Sequence, residues 1–359
     1  DLHSFPTRRS SDLVGEASVG SKTRSSDRAV SFIFIESNSG RNNMEYRIER
    51  DTMGEVKVPS DKLWGAQTQR SSMNFKVGRH MPVEIIRAFA YLKNAAACAN
   101  MEIGKLAPEK ASYIMIICDQ ILNGELDDQF PLVVYQTGSG TQTNMNVNEV
   151  IAGRAREMAG MAVLHPNDDV NMSQSSNDTF PTAMSIAAVF VMEDRVLPAL
   201  SQMIETLKGL EEKYMNVIKT GRTHLQDAVP MTFGQEVSGW RSMFEHDYCN
   251  LENSLAGLRE IALGGTAIGT GLNAPAGFAE RAAGALSDLT GKAFVTAHNK
   301  FHTLSSKDAY VFAHGALKGL AADLMKMAND IRWLSSGPRC GLGEIHIPEN
   351  RRPDRKSVV

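Results

Sequence analysis

His224 stands in the run Gly221-Arg222-Thr223-His224-Leu225-Gln226-Asp227-Ala228, a titratable imidazole set among hydroxyl and amide side chains. Imidazole gains and loses its proton near neutral pH, so it suits proton transfer, and Arg222, Thr223, Gln226 and Asp227 supply partners able to set its tautomer. Three other segments share this make-up: Thr137-Gly138-Ser139-Gly140-Thr141-Gln142-Thr143-Asn144-Met145-Asn146, His165-Pro166-Asn167-Asp168-Asp169-Val170-Asn171, and Ser173-Gln174-Ser175-Ser176-Asn177-Asp178-Thr179. Solubility requires no such clusters, whereas hydrogen-bonding a small, oxygen-rich anion does.

Each segment also has a purely structural reading. Asn and Asp around a proline make a capped turn, and for His165–Asp169 alone that reading wins. Ser173–Thr179 must contain a helix cap, but one cap uses one side chain, and Ser173, Ser175, Ser176, Asn177 and Thr179 are all on offer. The surplus hydroxyls are what a carboxylate pocket would use.

Other motifs carry less. Gly264-Gly265-Thr266-Ala267-Ile268-Gly269-Thr270-Gly271 lacks the Lys and Ser/Thr ending and the preceding strand of a phosphate loop, so it reads as a loop or a close helix contact, not a nucleotide site. His298 and His302 have metal-compatible spacing but no accompanying acidic ligand motif, and no metal is expected. Nothing matches the strand-turn-helix serine motif of the α/β hydrolases.

The elements that must position these residues are mostly helices. Apolar residues recur at helical spacing from Pro82 (Ile85, Ile86, Phe89, Leu92, Ala96) and again at Ile114, Ile117 and Ile121. Gly138–Asn146 reads as a polar loop leading into a helix through Glu149 and Val150. Thr179 reads as the N-cap of a long helix reaching Leu210, with Pro181 in its first turn. Gly234–Leu258 and Ala309–Leu334 read as further helices, with a glycine-rich break at Gly264–Gly277. His224 falls at an expected break between helices, and Met44–Ser72 reads as turn-rich with little helix. The fold class is mainly α: a long-helix bundle behind a mixed N-terminal domain. The expected domains are 44–174 (N-terminal) and 175–350 (central helical bundle).

The 359 residues carry 42% hydrophobic and 22% charged side chains, ordinary for a globular chain with a sizeable core. A formal charge of −3 offers no attraction to nucleic acid or an anionic membrane, and no apolar run approaches the length of a span. The four cysteines are scattered without paired spacing, which suits reduced thiols in a cytosol-like compartment. Both tips look foreign. His3–Leu13 and Asp354–Val359 can be written in codons that are reverse complements of one another and match a sequencing adaptor, so residues 1–13 and 351–359 are expected to lie outside the fold. Residues 1–43 as a whole read as a leader upstream of a start at Met44, an organelle transit peptide being the less simple account.

Taken together, these segments resemble the class II fumarases of the fumarase/aspartase superfamily. The resemblance runs from about Met44 to Asn350. It includes Asp51-Thr52-Met53-Gly54-Glu55-Val56, Leu63-Trp64-Gly65-Ala66-Gln67-Thr68-Gln69, the four polar segments, and Ser336-Gly337-Pro338-Arg339-Cys340-Gly341-Leu342-Gly343-Glu344-Ile345. Aspartases tend to carry Gln at His224 and Thr-Asn-Asp-Ala at Ser176–Thr179, so both differences favour fumarase. The resemblance implies a cytoplasmic homotetramer (mitochondrial in a eukaryote) without an organic cofactor. It would interconvert (S)-malate and fumarate by anti elimination or addition of water, in the tricarboxylic acid cycle. It implies that Ser139, Gly140, Thr141, Ser175, Ser176, Asn177 and Thr223 bind the substrate carboxylates. His224 would activate the proton-transfer water, and His165, Pro166, Asn167 and Asp168 would form a secondary carboxylate site.

One departure is large. After Pro348-Glu349-Asn350 the family continues into a loop of the form Gly-Ser-Ser-x-Met-Pro-x-Lys-x-Asn-Pro, which carries a catalytic serine and substrate-binding Lys and Asn. Here Arg351-Arg352-Pro353 follows instead. The chain by itself is therefore expected to be C-terminally truncated, inactive and poorly soluble, with bundle faces left uncovered. The rival readings are an aspartate ammonia-lyase and a non-catalytic helical subunit.

Overall fold

A computed structural model describes residues 45–337 and 339–348; the expected leader 1–43 and tail 351–359 lie outside the described residues. The described chain opens with a hairpin, β1 (Tyr46–Asp51) and β2 (Gly54–Pro59), in antiparallel register from Tyr46 opposite Pro59 to Asp51 opposite Gly54. Helix α1 (Ala66–Asn74) follows, where little helix was expected. Its start is invisible locally because its cap is remote. Gly65 has no side chain to offer, and the buried Glu149 carboxylate accepts instead from the backbone N–H groups of Gly65 (2.9 Å), Gln67 (2.8 Å) and Thr68 (3.0 Å). Burial pushes the Glu149 carboxyl upward, and those N–H donors oppose the shift.

Helices α2 (Val83–Glu102) and α3 (Pro108–Leu122) pack together through Phe89, Leu92, Ile114, Ile117 and Ile121, all fully buried. Each such side chain contributes roughly 1.5–3 kcal/mol of hydrophobic stabilisation. Helix α4 (Thr141–Ala159) starts at Thr141, so Gln142–Asn146 form its first turns and not the expected loop. Two features override the loop-like composition. Gly140 takes the left-handed conformation (φ 74°) at the N-cap, and Gln136 brackets Thr143, accepting from its N–H at 3.1 Å and donating to its hydroxyl at 2.9 Å.

After a π-helical turn at Pro166–Val170, α5 (Ser176–Val191), a second π turn (Met192–Val196) and α6 (Leu197–Tyr214) run on as one rod. Its N-cap is Ser175, not the expected Thr179. Ser175 and Asp178 form a capping box, which leaves Thr179 buried in the first turn. The segment expected as a break between helices is a second hairpin, β3 (Ile218–Thr223) and β4 (Gln226–Thr232). A Thr232–Gln235 capping box then starts α7 (Phe233–Leu258). The short strand β5 (Glu260–Ile261), helix α8 (Phe278–Thr290), the parallel strand β6 (Val295–Thr296), and helices α9 (Lys300–Ser305) and α10 (Asp308–Leu334) complete the order. His298 precedes the Asn299 cap of α9, so it shares no helix face with His302.

Candidate active site

Two of the polar segments meet where α4 and α5 begin. Gly140 lies so close to the Phe180 ring that a Cβ there would fall about 2.1 Å from it, and Asn144 Nδ2 donates to Ser176 Oγ at 2.9 Å. Ser139 and Thr141 share a hydroxyl–hydroxyl hydrogen bond of 2.9 Å, with Ser139 exposed. On α5, Ser175 Oγ accepts from Asn177 N at 3.2 Å, and Asn177 reaches across to donate to Ala267 O at 2.8 Å. The α4 N-cap contributes no side chain to its own helix. The two helix starts therefore offer positive dipole ends together with the hydroxyls of Ser139, Thr141, Ser175 and Ser176, a setting that favours an anion.

Beneath this surface lies a buried polar layer. Asp178 accepts from Ser175 N (2.9 Å), Gly264 N (3.0 Å) and Thr266 N (2.8 Å), which stitches the glycine-rich loop to the α5 cap. Burial raises its carboxyl to about 6 against those three donors. Lys93, fully buried on α2, donates to Asn171 Oδ1 and Gln174 Oε1, both at 2.9 Å. Burial lowers its ammonium to about 7, opposed by the charge of Asp178. The glycine-rich loop is a packing element, as its close approaches to Ala279, Phe301 and Leu304 require.

The third segment is a capped turn on its own. His165 Nδ1 lies 3.1 Å from both the Asp168 backbone N–H and the Asp168 carboxylate. The His165 side chain is exposed. Asp169, which is buried, holds the turn by accepting from His165 N and from Lys110 at 2.8 Å each. Asn167 and Asp168 stand exposed at the rim.

His224 lies elsewhere. It and Leu225 form the two-residue tip between β3 and β4, both at positive φ (52° and 61°), with Thr223 paired to Gln226. That is the I′ turn geometry, normally occupied by Asn-Gly. The hairpin is anchored by Glu344, which accepts from Arg222 (2.7 Å) and Lys219 (2.8 Å). Burial raises the Glu344 carboxyl, yet those two cations hold it below the ordinary range. Among the described residues no hydrogen bond or ion pair joins this hairpin to the Ser139–Ser176 cluster. The reason is length. Residues 176–214 form one helical rod, which at 1.5 Å per residue spans roughly 55 Å, with the cluster at its start and the hairpin beyond its end. A six-residue strand reaches back only about 20 Å.

A lyase family model matches residues 54–352. Proteins named fumarate hydratase class II from Oceanobacillus iheyensis and Bacillus subtilis are 60% and 57% identical over 312 residues, covering 86% of this chain and 68% of each relative. The chain belongs to the class II fumarate hydratase family. Among solved structures, a recombinant class II fumarase from Schistosoma mansoni superposes with a TM-score of 0.84 at 41% identity, covering 86% of this chain and 69% of that one. Fumarate lyase:delta crystallin from Brucella melitensis, in a crystal structure bound to cobalt, gives 0.83 at 41% identity over 87% and 69%. Among the described residues of this fumarate hydratase family member, no group of three or more His, Cys, Asp or Glu is placed to hold a metal.

Sequence reading missed Lys93 outright; Asn144, Asn171, Gln174 and Asp178 fell within the polar segments, but their burial as one layer was not foreseen. One signal was available. Lys93 and Asn94 interrupt an otherwise apolar helical face, and a charge placed there must find partners in the interior.

Proposed function

We propose that this chain carries the carboxylate-binding and proton-transfer elements of a fumarate hydratase, which interconverts fumarate and (S)-malate by anti addition or elimination of water. The observation that carries the reading is the meeting of two helix N-termini under a set of hydroxyls. Taking a proton from the carbon beside a carboxylate builds a dianion resembling an enediolate, and donors fixed where that charge develops lower the barrier. Ser139, Thr141, Ser175, Ser176 and Asn177 supply those donors. Gly140 lets the start of α4 pack against Phe180, and Thr223 adds a hydroxyl beside His224. His224, presented on an exposed tip, positions the water that exchanges the proton. Because one chain holds its hairpin far from its own cluster, the site is closed by a second copy, in keeping with a homotetramer. No helix of the described residues is long and apolar enough to cross a membrane, and a cytoplasmic setting fits the cysteine usage. His165, Asn167 and Asp168, with Pro166 fixing their turn, make a weaker secondary carboxylate site, in which the exposed His165 ring is the donor.

Equilibrium binding tests the reading. (S)-Malate and fumarate bind the chain, L-aspartate binds far more weakly, and Ser176→Ala costs about tenfold in malate affinity, the worth of one hydrogen bond to a charged group. Tighter binding of aspartate, or no binding of either dicarboxylate, contradicts it.

A further inference from the structure

We infer that Lys93 is a positioning residue for the carboxylate site: its ammonium sets the donor direction of a hydrogen-bond chain, Lys93–Asn171–Asn144–Ser176, that leaves the Ser176 hydroxyl proton free for the substrate anion. The inference rests on the carboxylate-site reading given above.

The direction follows from donor chemistry. In its ammonium form, held below about pH 7, Lys93 has three donors and no acceptor, so the atoms 2.9 Å from its Nζ are side-chain oxygens of Asn171 and Gln174. That fixes the Asn171 amide, whose Nδ2 turns away to donate to Gln174 O at 3.3 Å. The Asn144 atom 3.2 Å from Asn171 Oδ1 must then be its Nδ2. The same Nδ2 lies 2.9 Å from Ser176 Oγ, so the serine oxygen is an acceptor on its inner side and its single proton remains to be given outward.

Turning the Asn144 amide over would set two carbonyl oxygens against each other. As observed, Asn144 Oδ1 is buried without a partner, which costs on the order of 1–3 kcal/mol. Turned over, the amide would bury its NH2 in that same partnerless position and face Asn171 Oδ1 with its own oxygen, so the observed orientation is the one the cation favours. Lys93 makes no ion pair among the described residues, although Asp178 on α5 and Cys118 on α3 face it. A buried cation without a paired carboxylate is expensive, and an apolar side chain of the same length would fill the space more cheaply. The gain set against that cost is a hydroxyl of defined polarity.

The test is a double-mutant cycle read by calorimetric titration of (S)-malate into the full chain. Lys93→Met and Ser176→Ala each weaken binding about tenfold, and the double variant binds no more weakly than Ser176→Ala alone, because both remove the same donor. Losses that multiply to about a hundredfold overturn the inference, since Lys93 would then act independently of Ser176. Should Lys93→Met fail to fold, Asn144→Leu breaks the chain with the cation in place, and the same cycle with Ser176→Ala decides by the same criterion. Wild-type binding that Lys93→Met leaves unchanged sinks the relay alone. A wild-type chain that binds no malate sinks the carboxylate-site reading, and the relay with it.

Discussion

Among single residues, Gly140 and the pair Lys93–Asp178 have the most exposed consequences. Gly140 combines a left-handed backbone with contact against the Phe180 ring. Gly140→Ala therefore incurs both overpacking and conformational strain, roughly 3 kcal/mol together, read as a lowered denaturant midpoint. Phe180→Leu in the same background recovers part of the loss. For the buried pair the signs can be worked out. Asp178 titrates at about 6 when folded against 3.8 when exposed, so the folded chain holds more protons between those values and stability falls as pH rises through them. Lys93 titrates at about 7 when folded against 10.5 when exposed, so the unfolded chain holds more protons there and stability rises with pH. The two contributions leave a stability minimum between about 6 and 7. Melting temperatures of wild type and Asp178→Asn across this range check it, because the variant loses the falling limb and keeps the rising one.

At the scale of elements, legibility in the sequence followed the range of the interactions. The apolar periodicity of α2, α3, α7 and α10 is local, so all four were readable as helices, α7 and α10 with their ends to within a residue. The start of α1 was not, because its cap is the Glu149 carboxylate from another helix. The start of α4 was hidden for a related reason: Gln136 and Gly140 convert a loop-like polar run into a helical turn. The polar segments were visible as chemistry, yet the layer orienting them was not, since Asn144, Asn171 and Gln174 look like any other surface amide in one dimension. The hairpin at His224 was hidden by its own strain, as His-Leu is not a turn signal. Leu225→Gly is accordingly expected to stabilise the chain by about 1 kcal/mol by removing the cost of a left-handed non-glycine residue. His224→Asn is expected to keep the turn and to weaken (S)-malate binding. A melting series together with (S)-malate titration separates the two roles of the tip.

The whole molecule is governed by a rod that separates its two chemical ends. A helix roughly 55 Å long lets one copy present hydroxyls at one end and a histidine near the other, which is why we propose that assembly brings them together. The surface agrees. Helix α10 leaves Val311, Phe312, Met325 and Trp333 at least half exposed, apolar side chains available to a second copy. Light scattering is expected to find an associated species, which Phe312→Asp combined with Met325→Asp converts to smaller ones. The most direct test of the central claim is a crystal structure of the chain with (S)-malate. The account predicts a carboxylate seated between the starts of α4 and α5, touching Thr141 and Ser176, with His224 of a second copy nearby. Malate bound elsewhere, or a cluster that no neighbouring copy's His224 approaches, would contradict it.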